Sequence, residues 1–96
     1  MDTESIISAT VKIVRAHLLS EDYKIFLFGS WAKGNALKTS DIDIGILGKE
    51  ELPWDSMVNI LNEIETIPTL RKIDVVDLTA KEKSFRDNVL RYAKAL

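Results

Sequence analysis

The chain contains no cysteine. Disulfides, thiolate metal sites and cysteine nucleophiles are therefore excluded. Histidine is nearly absent too: His17 stands alone, so no imidazole pair can build a metal centre, and helical spacing puts it on the surface or half-buried edge of a helix. Basic residues are not in excess, with 13 Lys and Arg against 15 Asp and Glu. A protein that grips a phosphate backbone carries a basic footprint, and its absence counts against nucleic acid as the main partner. No apolar run approaches the ~20 residues that cross a bilayer. The opening "MDTESIISATVKIVRAHLL" starts acidic and has no cleavable apolar core, so it does not read as a signal peptide. With two prolines and four glycines there is no linker or low-complexity tract. The expectation is a single cytoplasmic domain over residues 1–96, without membrane contact.

What is present follows two periods. Ile7, Val11, Val14 and Leu18, widened by Ile6 and Ile13, recur at helical spacing over residues 4–19. "YKIFLF" (23–28) is a short apolar run suited to a central strand. Gly29 ends it, residues 30–35 form a turn or short helix, and "NALKTS" is a loop. "DIDIGIL" (41–47) alternates, with Ile42, Ile44 and Ile46 on one face and Asp41, Asp43 and Gly45 on the other. Pro53 opens a further helix, whose stripe is Trp54, Met57, Val58, Leu61 and Ile64 and which Pro68 stops. "RKIDVVDL" (71–78) is a third strand. Thr79 and Glu82 are spaced as a capping box, predicting a last helix from about residue 80 to the end with Phe85, Val89, Tyr92 and Leu96 along one side. The order α-β-α-β-α-β-α predicts an α/β (α+β) fold: a small mixed sheet of three strands or slightly more, with helices packed on it.

The aspartates are out of place. Asp is depleted in strands and costly to bury, yet Asp41 and Asp43 interrupt an otherwise buried one. Residues two apart on a strand face the same way, so the two carboxylates project together and repel unless a cation lies between them. Mg²⁺ suits such a site, because it takes carboxylate oxygens and shares its shell with substrate phosphates. Asp74 and Asp77 are the strand-borne candidates for a third ligand, on opposite faces of theirs. Asp74, between Ile73 and Val75, is favoured; Asp77 near the strand end suits a turn or helix-end role. A lone D-x-D would read as a solvated strand face. Upstream, however, Gly29 permits a tight turn and close approach of a ligand, Ser30 offers a hydroxyl and free N–H groups to a phosphate, and Gly34 again allows special dihedrals.

In this combination "GSWAKGNALKTSDIDIGIL" resembles the signature of the DNA polymerase beta-like nucleotidyltransferases, G-S-x-x-x-G followed by a short loop and S-D-x-D. The length and the terminal helices resemble the minimal nucleotidyltransferase (MNT) proteins of that superfamily. The resemblance implies that Gly29, Ser30, Lys33, Gly34 and Ser40 hold the nucleotide and that Asp41, Asp43 and Asp74 bind two Mg²⁺ ions. Asp74 would ligate the ion that activates the acceptor or take the acceptor's proton. Many relatives carry arginine after Gly-Ser and before the second glycine; here those positions hold Trp31 and Lys33. The implied reaction is transfer of AMP from ATP to a hydroxyl, by a protein adenylyltransferase of the toxin–antitoxin type. Ninety-six residues leave no room for an acceptor-binding domain. The acceptor implied by the resemblance is a tyrosine of a separate helical HEPN toxin, with Trp54, Tyr92 and Leu96 as candidate interface anchors. Two other readings are a non-catalytic antitoxin that blocks its partner by contact, and the catalytic subunit of a two-chain nucleotidyltransferase acting on a small molecule or RNA end.

Overall fold

Ile42, Ile44 and Ile46 are completely buried, and the alternating residues between them lie on the other face of the same strand. In the computed structural model, which describes residues 1–19 and 21–96, this strand (β2, Ile42–Gly48) is central to a four-stranded sheet of order β3-β2-β1-β4. It runs antiparallel to β1 (Tyr23–Phe28) and parallel to β3 (Ile73–Asp77), and β1 pairs antiparallel with a two-residue strand β4 (Lys94–Ala95). The sheet is mixed and carries helices, as the residue pattern predicts.

Two helices cover the isoleucine face: α1 (Thr3–His17) and α3 (Trp54–Ile64). The Asp2 carboxylate caps α1, accepting from Ser5 N at 2.7 Å. The buried seam of α1 is Ile6, Thr10 and Val14, followed by Leu18, rather than the predicted stripe through Ile7 and Val11, which lie at its margin. Thr10 is admitted because its hydroxyl donates to Ile6 O at 2.9 Å, so its own polar atom is paired. Ile60 and Ile64 of α3 complete this core, and His17 on α1 meets Glu63 on α3 at 2.7 Å. No helix among the described residues is long and apolar enough to cross a membrane.

The opposite face is covered only in part. Phe28, Leu78 and Val89 form a small second core there, with Val76 and Tyr92 against it. Leu78 packs so closely on Gly45 that a Cβ at that position would come within 2.6 Å of its Cδ1. Toward the start of β2 this cover ends, and the face stays open around Asp43.

The C-terminal segment departs from expectation. Thr79 does not cap a helix: its Oγ1 accepts from Gly48 N at 2.9 Å, and residues 78–80 form a single 3-10 turn. Helix α4 is confined to Lys83–Leu90, after which the chain turns and adds β4 to the sheet, with Leu96 N donating to Ile25 O at 2.9 Å. The exposed edge of β1 accounts for the difference. Its unpaired backbone groups gain partners that a longer helix would not supply.

Candidate active site

Strand pairing, not side-chain contact, assembles the site. In the parallel β2–β3 ladder Asp43 is the register partner of Asp74, so the two carboxylates rise side by side from adjacent strands. Asp41 precedes β2 and adds a third carboxylate beside them. In the antiparallel β1–β2 ladder Phe28 faces Asp43, which brings the following Gly29 against the same aspartate. Gly29 has φ +70°, and a Cβ built there would collide with Asp43 Oδ2. Only glycine fits this position, on both counts. The five-residue helix α2 (Gly29–Lys33) starts there, so Ser30 and the first-turn N–H groups follow directly on the glycine that meets Asp43. Gly34 closes α2 in the left-handed region at φ +82°, its N–H donating to Ser30 O at 3.0 Å.

The electrostatics follow from this crowding. Partial burial pushes the Asp43 carboxyl above the ordinary 3.8, and repulsion from Asp74 and then Asp41 adds to it. The Lys72 ammonium opposes the shift, lying 3.8 Å from Asp74 Oδ2 and 3.9 Å from Asp41 Oδ2. Sequence reasoning missed Lys72, although strand alternation carries the signal: two residues before Asp74, it shares that residue's face. Among the described residues no three His, Cys, Asp or Glu side chains already stand together so as to hold a metal ion. The oxygens are nonetheless of the hard type that Mg²⁺ takes, and that ion keeps waters and substrate phosphates in its shell rather than demanding an all-protein cage. The donor set fits it.

The other predicted contacts are arranged differently from a simple phosphate cradle. Lys33 Nζ lies over the Tyr92 ring, 4.5 Å from its centroid. The Ser40 hydroxyl accepts from Leu37 N at 2.8 Å and closes the loop before β2. Trp31 turns inward, its Nε1 donating to Ser40 O at 3.2 Å. Asp77 stands apart from the cluster: its carboxylate accepts from Leu52 N at 2.9 Å and from Thr79 N at 3.0 Å. Asp77→Ala should therefore cost about 1.5–3 kcal/mol in denaturant unfolding, the size of lost bonds to a charged acceptor, with nucleotide binding retained. A cost near zero would show that those two amides find other partners. Beside the cluster lies an open groove of about 610 Å³ whose lining includes Asp41, Lys72, Met1, Pro68 and Leu70.

The chain is similar to known proteins in family and in fold. The family described as "Polymerase beta, Nucleotidyltransferase" matches residues 12–96. A Haemophilus influenzae protein named "Probable protein adenylyltransferase MntA" is 29% identical over 87 residues, 91% of this chain and 75% of that protein. A chain from a crystal structure of a toxin–antitoxin with AMP-PNP is 25% identical, with a TM-score of 0.72 over 97% of this chain and 71% of its own. The fold is also that of a minimal nucleotidyltransferase, 24% identical with a TM-score of 0.72 over 100% and 97% of the two chains. A chain from the complex of a tri-AMPylated Shewanella oneidensis HEPN toxin with its MNT antitoxin shares the fold at 21% identity, with a TM-score of 0.68 over 96% and 69% of the two chains.

Proposed function

The chain belongs to the polymerase beta nucleotidyltransferase family, and from that premise we propose that residues 1–96 act as one Mg²⁺-dependent domain that transfers AMP from ATP to a tyrosine hydroxyl of a separate helical toxin of the HEPN type. The observation that carries the reading is the register pairing of Asp43 with Asp74, with Gly29 packed against Asp43. The adenylyltransferase name of the Haemophilus relative and the AMP-PNP bound in the toxin–antitoxin structure support AMP as the transferred group. The AMP groups on the Shewanella toxin, whose antitoxin shares this fold, support a protein acceptor.

Asp41, Asp43 and Asp74 would hold the metal, which when bound polarises the α-phosphate and steadies the charge that develops there. The chain's own contribution is geometric. Gly29 lets the triphosphate approach the backbone, and Ser30 with the first-turn N–H groups of α2 binds its outer phosphates. The acceptor oxygen bonds to the α-phosphorus, the bond from that phosphorus to the bridging oxygen breaks, and pyrophosphate leaves. In such an in-line displacement the attacking and leaving oxygens lie on opposite sides of phosphorus. The strand order β1-β2-β3 sets the Gly29–Ser30 turn on one side of the carboxylates and Asp74 on the other. Pyrophosphate therefore departs over α2, and the hydroxyl arrives on the β3 side, where Asp74 can receive its proton. The groove on that side is open and broad, which suits a segment of another macromolecule more than a small molecule. Activity belongs in the cytoplasm, where ATP and Mg²⁺ are available.

Incubation of the chain with ATP, Mg²⁺ and the helical protein encoded beside it should yield that partner with AMP on one or more tyrosines, read by mass spectrometry. A complex that forms without any adduct would favour the antitoxin that acts by contact alone. Transfer to a small molecule with no complex would favour the two-chain enzyme.

A further inference from the structure

The peptide that carries Asp41 is held on both sides by two consecutive residues, Arg71 and Lys72, that lead into the strand carrying Asp74. On its N-terminal side, Ser40 O accepts from Arg71 Nη2 at 2.7 Å and from Trp31 Nε1 at 3.2 Å. A carbonyl oxygen has two lone pairs, and both are used here. On its C-terminal side, Ile42 N donates to Lys72 O at 2.9 Å, the bond that begins the parallel ladder bringing Asp43 beside Asp74. Arg71 is itself fixed from two further directions. Its guanidinium lies over the Trp31 ring, 5.3 Å from the centroid, and its Nη1 donates to Thr3 Oγ1 at 3.2 Å. Its Nε is buried with no hydrogen-bond partner, an arrangement that native structures tolerate rarely and for a reason.

We propose that Arg71 and Trp31 form a single positioning unit, stacked on each other and sharing the Ser40 carbonyl, that sets where the Asp41 carboxylate stands relative to Asp43 and Asp74. Trp31 trades the arginine common in the family for half of a clamp whose other half, Arg71, comes from the segment just before β3. Neither residue touches substrate. Lysine cannot replace Arg71, because one ammonium cannot stack flat on an indole while donating in fixed directions to Thr3 and Ser40. Phenylalanine at 31 keeps the stack and loses the N–H. Groups that only orient metal ligands typically change metal affinity or activity 10–100-fold when altered, which sets the size of the effect.

The inference rests on Asp41 being a metal ligand, and the experiment separates the two claims. Mn²⁺ alone is titrated into the full chain carrying Trp54→Phe, a change of a solvent-exposed side chain that leaves Trp31 as the one indole reporter. Arg71→Lys and Trp31→Phe should each weaken Mn²⁺ binding about tenfold, measured by water-proton relaxation. The double variant should be little worse than Arg71→Lys, since both donors serve one acceptor. Trp31 fluorescence should respond to Mn²⁺ in the parent and lose most of that response in Arg71→Lys. A variant that melts earlier yet binds Mn²⁺ as the parent does would overturn the proposal and leave Arg71 a packing residue. If the parent binds no Mn²⁺, the metal reading fails instead, and amide exchange then decides the clamp. Faster exchange at Ile42 in Arg71→Lys, with Leu27 unchanged, upholds it; equal exchange at Ile42 overturns it.

Discussion

Asp43→Asn is expected to abolish AMP transfer while making the chain more stable at neutral pH, not less. The first half follows from the reading of Asp43 as a metal ligand between Asp41 and Asp74. Losing one such ligand removes several kcal/mol of charge stabilisation in the transition state, and ~4 kcal/mol is roughly a thousandfold in rate. The second half follows from its surroundings. The folded chain raises the Asp43 pKa by burial and by the neighbouring carboxylates, so it holds that proton more tightly than the unfolded chain does. The folded state is therefore favoured as pH falls. The penalty sets in as pH rises from the ordinary 3.8 through the raised folded value, and it is complete above that value. Asparagine keeps the shape and removes the penalty. The gain should stay below about 1 kcal/mol, because solvent screens a half-exposed carboxylate. Denaturant melts at neutral and mildly acidic pH should show this slope in the parent and a flatter one in the variant. Mg²⁺ should stabilise the parent and not the variant, since only the parent offers a site to a ligand of the folded state. A variant less stable than the parent at neutral pH would mean that Lys72 outweighs the carboxylate repulsion.

Gly29→Ala should be the most damaging single methyl in the chain. At φ +70° an alanine carries about 1–2 kcal/mol of backbone strain. Its Cβ must also displace the Asp43 carboxylate, which on the proposed reading would move a metal ligand and close the approach of the triphosphate. Misplacing reacting groups by about 1 Å can cost a hundredfold, and transfer should fall by at least roughly that factor. Gly34 supplies the control within the same turn. At φ +82° it bears similar strain, but nothing lies within 4 Å of an added Cβ. Gly34→Ala should therefore melt earlier, as Gly29→Ala does, yet keep Mn²⁺ binding. Equal loss of Mn²⁺ binding in both variants would attribute the effect to the backbone of α2 rather than to the contact with Asp43.

The legible parts of this protein are those set by local period. Alternation on β2 separates three buried isoleucines from the aspartates, and it does so whatever the strand pairs with. The contrast between Asp74 and Asp77 is of the same kind: two residues on opposite faces of one strand cannot both face Asp43. The resemblance of the Gly-Ser and S-D-x-D run to a known family draws on the same stretch. Element type and order in the first 78 residues are read from spacing, because 2 and 3.6 residues per repeat are properties of the backbone.

Where a residue had several possible partners, spacing was silent or misleading. Thr79 and Glu82 stand at capping-box distance, but the Thr79 hydroxyl binds Gly48 N, a partner 31 positions away that exists only once β2 is in place. Tyr92 and Leu96 continue a helical stripe, yet the open edge of β1 takes up the end of the chain as a strand. Lys72 carries a face in the sequence but no neighbour; pairing of β3 with β2 puts its ammonium between Asp41 and Asp74. Trp31 stands in the sequence only as a departure from the arginine of many relatives, and the fold makes it a donor to Ser40 under the Arg71 guanidinium. Local spacing was enough to assign the strands and helices of the first 78 residues and the faces they present, because those depend on neighbours a few positions away. Which carboxylates, cations and indole meet was decided by strand order and register, because hydrogen bonds and charges act through space between segments that the chain keeps far apart.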